Sequence, residues 1–410
     1  MSPSKMPLLP EVGLLAMPYH NFGTNWMTPH HVLTRLASYF QVIWLEPPHH
    51  WRETHDLKNR RAAIDELVRK LPESFRVYVP EPWLPDVYRL SWLRDLLLCA
   101  RVRRGWRQLD RLGCRSHVLY LWHPQYEAAL AARRRDLSLY HIEDEYSFLP
   151  EPPPMDAREL RLIREVDHVF VHSPQLMERK GWINPNTTFI PNGVDYTLYS
   201  TPVPEPHDIA QIPHPRIGYT GHLKTQLDWR LLRELAVRHP NWSFVFVGSR
   251  LFLTGEDRLI LDEMAQLKNV HLLGGKTVKE LAAYPQHFDA CIMPYVINGY
   301  TQNIYPLKLH EYLASGRPVI GSPIRSLKDF SEVVALASTV DEWSSALANA
   351  LVVPATSPEA VTARREMAKK NDWSELTYRI AKTIAERLNP KLAARIEKIT
   401  VDTPNFTYSG

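Results

Sequence analysis

The sequence predicts an α/β chain of two Rossmann-like, doubly wound domains facing each other across a cleft. Three observations lead there. Short, nearly continuous apolar runs alternate with helical patterns in the second half, similar runs in the first half end in Pro, His or Asp, and Thr201–Pro215 holds five prolines in 15 residues. Continuous apolar runs suit parallel strands buried on both faces. The proline-rich segment can be neither a helix nor a central strand and reads as a semi-rigid linker. At 410 residues the chain is long enough for two sizeable cores.

In chain order, VGLLAMPY, FQVIWLEPP, SHVLYLWHP, LSLYHIED, DHVFVHSP and NTTFIPN read as the strands of the first domain. Ligands of open parallel sheets sit at the carboxyl ends of the strands, so the polar residues closing these runs point at one edge. Between the second and third runs, Arg101, Arg103, Arg104, Arg107, Arg111 and Arg115 lie beside Trp92, Leu93, Leu96, Leu97 and Trp106. Two readings stand: a solvated helical face with an apolar core side, or peripheral docking on an anionic membrane. After the linker, strand-like runs start at residues 216, 242, 269, 289 and 317, with LDWRLLRELAVRHP and PLKLHEYLASG as helical segments between them. This is the βαβ rhythm of a doubly wound sheet. The expected organisation is a first domain over 1–200, the linker at 201–215, a second domain over 216–372, and a C-terminal helix and tail at 373–410.

Bulk composition excludes several classes. Lys and Arg number 49 against 45 Asp and Glu. Residues 1–200 hold 25 and 23 of these, leaving 24 and 22, so each half is +2 and neither is a polycation built for nucleic acid. No stretch approaches 18 consecutive apolar residues, and the apolar N-terminal run is interrupted by Pro10 and Glu11, so it reads as a strand rather than a cleaved signal. Cys99, Cys114 and Cys291 offer no disulfide framework or zinc spacing, which fits a reducing cytoplasm. Glycine is scarce, yet 11 of its 16 copies fall between Gly181 and Gly321. Because glycine serves sharp turns and close backbone approach, that window is the first place to look for a site.

Some motifs fail on inspection. LLGGKT at 272–277 lacks the phosphate-loop glycine five positions before Gly275, where Val270 stands. No G-x-G-x-x-G follows a strand. His30-His31 and His49-His50 are adjacent pairs without the i,i+4 spacing of a helical metal site, and no metal or other cofactor is expected.

The informative stretch is NGYTQNIYPLKLHEYLASG, Asn298 to Gly316. A polar loop leads into a helix with Pro306 in its first turn, and the N-terminus of a helix is a ready anion site. Lys308 adds a full positive charge there, Glu311 follows three residues on, and Gly316 closes the helix. A carboxylate at Glu311 can accept both hydroxyls of a ribose.

Residues 188–195 (TFIPNGVD), 217–223 (IGYTGHL), 269–274 (NVHLLG) and 306–320 (PLKLHEYLASGRPVI) occur in that order. Together they resemble the group 1 glycosyltransferases, glycosyltransferase family 4, of the GT-B architecture. The resemblance is firm over 165–390 and looser before it, where the Asn21–Trp26 loop, an Arg/His-rich first helix and the Tyr140–Asp144 run are similar to one branch. It implies a nucleoside-diphosphate sugar in the second domain, a glycan or lipid-linked acceptor in the first, and transfer with retention of configuration. By motif, Glu311 resembles the ribose carboxylate. Gly221, His222, Lys224, Asn303, Ile304, Tyr305, Leu307 and Lys308 fall where relatives contact the donor. His123 and Asp144 face the cleft as candidates for the transferred sugar and the acceptor hydroxyl, with Asn21 and Trp26 on the acceptor side and Lys308 supporting the leaving group. Relatives place a second carboxylate eight residues before Glu311, where this chain has Asn303. Asn192 has a possible cleft-facing role within a mainly structural turn. A nucleotide-sugar epimerase of the same architecture and a catalytically silent partner in a polysaccharide complex are the alternatives.

Overall fold

The computed structural model describes residues 6–23, 26–48, 57–87, 90–132, 135–146, 155–251 and 253–402. His49 and His50 lie outside these residues, as do two positions of the Asn21–Trp26 loop, Thr24 and Asn25. The first sheet comprises β1 (Leu9–Met17), β2 (Phe40–Leu45), β3 (Phe75–Tyr78), β4 (Ser116–Leu121), β5 (Leu137–Ile142), β6 (His168–Val171) and β7 (Thr187–Phe189), in the order 3-2-1-4-5-6-7. The second comprises β8 (Arg216–Thr220), β9 (Ser243–Val247), β10 (Val270–Leu272), β11 (Ala290–Met293), β12 (Val319–Gly321) and β13 (Ala335–Leu336), in the order 10-9-8-11-12-13. Every pairing within these sheets is parallel. The central strands are buried at almost every position, which is why they read as unbroken apolar runs.

Both orders reverse at the first strand. Leu14 of β1 lies between Val42 and Val118, and Gly218 of β8 lies between Val245 and Cys291. Each domain therefore opens a crevice at the carboxyl ends of its first and fourth strands, the switch point where α/β sheets hold ligands.

Sequence reading missed β3 and β13. Phe75–Tyr78 carries an exposed Arg76 in an edge strand, and Ala335–Leu336 is two residues long. Neither forms a continuous apolar run.

A second correction concerns the proline-rich segment. It does not span the domains; it is fastened to the second. Ile209 and Ile212 are buried in that domain's core, Asp208 accepts from Lys276 and Tyr284, and Glu205 pairs with Arg216. Tyr199, nominally in the first domain, belongs to the same core. The chain crosses between domains at Asn192–Asp195 and returns at Asn371–Trp373. There Val194 N–H donates to the Asn371 carbonyl at 3.0 Å and Trp373 N–H to the Val194 carbonyl at 2.9 Å. The amphipathic helix Trp373–Leu388 then buries Trp373, Leu376, Ile380, Ala381 and Ile384 in the first domain's core.

Candidate active site

One wall of the cleft is built on β8 and the helix Leu307–Ser315. Tyr312 of that helix clamps it to the strand, its hydroxyl accepting from Thr220 N–H at 2.8 Å. Pro306 precedes the first helical residue in an extended conformation, one position earlier than expected, and Gly316 ends the helix in the left-handed region at φ 80°. Lys308 then lies over the turn after β8, its Nζ 5.1 Å from the centroid of the Tyr219 ring. Gly221 makes this approach possible. Its φ is 116°, and a Cβ there would lie 2.6 Å from Lys308 Cε and 2.7 Å from Nζ. Lys224 extends the positive field; desolvation and then Lys308 lower its pKa, while Asp144 across the cleft opposes them. Glu311 is drawn up by burial, countered by Lys308 and by the nearby Tyr199 hydroxyl.

The opposite wall comes from the first switch point. Glu46, at the end of β2, accepts from Phe22 N–H at 2.6 Å and from the Trp44 indole at 3.0 Å, which pins the loop after β1. That loop presents Tyr19 and His20. Tyr19 stacks on His123 with centroids 4.2 Å apart and planes 18° apart, and Tyr146 meets His123 edge-on at 4.5 Å. Gln125 N–H donates to His123 Nδ1 at 3.2 Å. In the neutral ring, therefore, the proton sits on Nε2. Burial, and next His20, push the His123 pKa down to about 4. After β5, burial raises Glu143 to about 8, with the Asp144 charge adding to it, and burial raises Asp144 to about 6. His20 Nε2 approaches Glu143 Oε1 at 4.0 Å. Burial and then Lys224 lower the pKa of His20, which works against an ion pair at this contact.

The walls touch. Tyr300 OH, from the loop before the Lys308 helix, donates to Asp144 Oδ2 at 3.2 Å. Nearer the crossing, Thr28 OH donates to Asn192 Oδ1 and Asn192 Nδ2 to the Tyr305 carbonyl, both at 2.7 Å. Asn192 thus joins the first helix to the residue before Pro306.

Of the residues singled out by sequence, Gly221, Lys224, Lys308, Asp144 and His123 gather on these walls, with His222 between the two lysines that lower its pKa after burial. Others serve packing. The Tyr305 side chain is buried with its hydroxyl 2.8 Å from His310 Nε2, and Leu307 packs against the first domain's core, so these two are not free to reach a ligand with their side chains. Ile304 is half-buried against the second core. Asn303 is only 2 % exposed, its Nδ2 donating to the Gly299 carbonyl at 2.6 Å, so its amide braces the loop. Trp26 packs on His30 and His31, and Asn21 is an exposed loop residue. Sequence reasoning missed His20, Tyr19, Tyr300 and Tyr199, whose positions depend on which loops the topology brings together. Glu143 had one signal: it follows a strand-like run, as Asp144 does.

Two parallel Rossmann-like domains with facing switch points define the GT-B class, and comparison with known proteins agrees. Residues 214–364 match the model for "Glycosyl transferases group 1". A Bacillus subtilis (strain 168) protein named as a teichuronic acid biosynthesis glycosyltransferase, TuaH, is 29% identical over 312 residues, covering 70% of this chain and 73% of its own. Among solved structures, sucrose-phosphate synthase from Thermosynechococcus elongatus superposes with TM-score 0.66 at 17% identity, covering 92% of this chain and 98% of that one. The trehalose-6-phosphate protein of E. coli bound with UDP-2-fluoro glucose gives 0.64 at 12% identity, covering 92% and 99%. The chain has the GT-B fold, and its residues 214–364 match the group 1 glycosyltransferases.

Proposed function

We propose that this enzyme transfers a sugar, with retention of configuration, from a nucleoside-diphosphate sugar to a glycan or lipid-linked acceptor in cell-surface polysaccharide assembly. The observation that carries the reading is the opposition of two unlike walls: Lys308 and Lys224 with a glycine turn on one side, and His123, His20, Glu143 and Asp144 on the other. Retaining transfer without a covalent intermediate demands stabilisation of a leaving diphosphate. The helix N-terminus and the two lysines supply it at the wall of the cleft. His123 Nε2–H faces the transferred sugar, and Asp144 orients the acceptor hydroxyl. The name of the Bacillus relative supports the polysaccharide setting.

A thermal-shift screen against UDP-, GDP-, ADP- and CMP-sugars should show stabilisation by one class. Glu311→Ala should abolish transfer with little change in melting temperature; wild-type activity in that variant would sink the donor-site assignment. Product analysis with donor alone separates transfer from epimerisation.

We also propose that the enzyme works against the cytoplasmic face of an anionic membrane. Among the described residues no helix is long and apolar enough to cross a membrane. The helix Ser91–Arg111 nevertheless leaves Trp92 and Leu96 exposed on one face with Arg103, Arg107 and Arg111, and Trp83 and Leu90 are exposed in the segment leading into it. The basic stripe is shorter than the sequence suggested. Arg101 is buried against the Pro85 carbonyl, Arg104 pairs with Glu81, and Trp106 lies in the core. Sedimentation with phosphatidylglycerol vesicles should be lost in Trp83→Ser/Trp92→Ser; equal binding by the variant would end this proposal.

A further inference from the structure

Asp144 follows β5 on the first domain, and Tyr300 stands on the loop before the Lys308 helix of the second. The two oxygens of the Asp144 carboxylate are used differently. Oδ1 turns back on its own chain and accepts from Glu145 N–H at 2.8 Å, which leaves Oδ2 as the oxygen presented across the cleft. Tyr300 OH donates to that oxygen at 3.2 Å. The group that meets Asp144 from the other domain is thus a hydroxyl, the same chemistry that an acceptor sugar or a water would bring.

The turn that carries Tyr300 is closely built. Asn298 Oδ1 accepts from Tyr300 N–H at 3.0 Å and from Thr301 N–H at 2.9 Å, and the buried Thr301 hydroxyl donates to the Val296 carbonyl at 2.6 Å. Gln302 Oε1 accepts from Arg325 N–H at 2.8 Å. The backbone of the turn therefore fixes where the Tyr300 side chain starts, while its hydroxyl contact joins two domains and parts when the cleft opens. A hydroxyl donating to Oδ2 takes one of that oxygen's lone pairs and draws on its negative charge, so a water arriving there meets a weaker base.

We propose that Tyr300 stands in for the acceptor: while the cleft holds donor alone, its hydroxyl occupies Asp144 and restrains transfer of the sugar to water, and the incoming acceptor hydroxyl displaces it. In the restrained reaction the bond from the anomeric carbon to the diphosphate oxygen breaks, its electron pair leaving with the diphosphate. A water oxygen bonds the carbon, and the water's proton passes to solvent. The inference rests on the reading of Asp144 as the residue that orients the acceptor hydroxyl. It goes beyond that reading by giving the donor-side loop a part in refusing water.

The test is the rate of donor hydrolysis without acceptor, measured on the full chain with the UDP-, GDP- or ADP-sugar that stabilises it most. Wild type, Tyr300→Phe, Asp144→Asn and the double variant are compared at saturating donor. Tyr300→Phe should hydrolyse the donor about tenfold faster, the scale of one hydrogen bond to a charged group. Because the gain comes from an uncovered carboxylate, it should vanish in the Asp144→Asn background, the non-additivity of residues in contact. An unchanged or lower rate in Tyr300→Phe overturns the stand-in role. If Asp144→Asn slows hydrolysis equally with and without the Tyr300 hydroxyl, Tyr300→Phe has only loosened the cleft, and the stand-in role falls while the reading of Asp144 stands. If Asp144→Asn slows neither, the reading of Asp144 falls with it.

Discussion

The two walls of the cleft differ in chemistry, and under the proposed function each meets a different recognition problem. The second-domain wall is made of backbone and permanent charge: a glycine turn, a helix N-terminus, and two lysines, with Lys224 acted on by Asp144 across the cleft and Lys308 one helical turn from Glu311. The first-domain wall is made of aromatic rings and buried ionisable groups, with burial lowering the pKa values of His20 and His123 and raising those of Glu143 and Asp144, packed from behind by the returning C-terminal helix. A diphosphate is the same in every nucleotide sugar, and charge with backbone amides suits it. An acceptor differs from one enzyme to the next in the placement of its hydroxyls. A wall of oriented side chains discriminates such patterns better than charge does.

If the donor wall works through charge, its largest dependence is on Lys308. Lys308→Met should lower kcat by about 10²–10³-fold, the scale of losing one preorganised group aimed at developing charge. The acceptor KM should hardly move. A kcat within a few fold of wild type would break the contrast between the walls.

Glycines sharpen the same comparison. Gly221 and Gly113 both have positive φ, at 116° and 84°, but a Cβ on Gly113 would meet nothing within 4 Å, whereas on Gly221 it would collide with Lys308. Alanine at either site should lose roughly 1–3 kcal/mol of stability through backbone strain. Only Gly221→Ala should also weaken nucleotide binding, by about tenfold if the lysine is displaced from its charge-assisted contact. Denaturant melts and calorimetry on both variants read the two effects separately.

The contrast also shows how far sequence alone carries. The donor wall was legible because its parts are contiguous: Pro306, Lys308, Glu311 and Gly316 lie on one helix, and Gly221 ends a strand whose apolar run is unmistakable. The acceptor wall was legible only as strand ends. His123 and Asp144 follow apolar runs, but the approach of residues 20, 123, 143 and 300 is created by the reversal of strand order, which no local pattern encodes. The domain crossing was misplaced for a related reason. Five prolines show that a segment is extended, not which core it adheres to, and that was settled by Ile209 and Ile212 burying in the second domain. Asn303 stood out as a missing carboxylate, yet its amide bonding to Gly299 appears only once the loop is folded.

The raised pKa of Glu143 has a signature in pH. A carboxyl whose pKa is raised on folding favours the folded state while protonated in both states, and that contribution is lost as pH climbs from the unfolded value toward the folded one. For Glu143 this window runs from the ordinary carboxyl value of 4.5 to about 8. Asp144, His20, Tyr146 and Lys224 surround it or act on its neighbours. Glu143→Gln has no proton to lose. Relative to wild type it should gain on the order of 1–2 kcal/mol between pH 5 and pH 8, a fraction of the full linkage because burial relaxes around a charge. Urea melts at the two pH values measure the difference, and a constant gap would show that Glu143 is already ionised in the folded protein.

The smallest effect belongs to the rim, where the two walls meet through an ion pair instead of a buried contact. Arg325 donates to Glu178 at 2.8 and 3.0 Å, with both side chains substantially exposed, while Tyr300 and Asp144 meet deeper in the cleft. Exposed pairs contribute about 0–1 kcal/mol and are screened by salt. Arg325→Ala should therefore shift the open–closed balance by less than about fivefold. Donor hydrolysis without acceptor, which reports water entering the cleft, should rise by no more than that. Raising salt from roughly 0.05 M to 0.5 M should raise wild-type hydrolysis by the same amount and leave the variant unchanged. Tyr300→Phe, which removes the inner contact, should leave a salt dependence like that of wild type. A salt response that follows Tyr300 instead of Arg325 would mean that charge, not the buried hydroxyl, governs the interior of the acceptor wall, and would reverse the contrast drawn between the two sides.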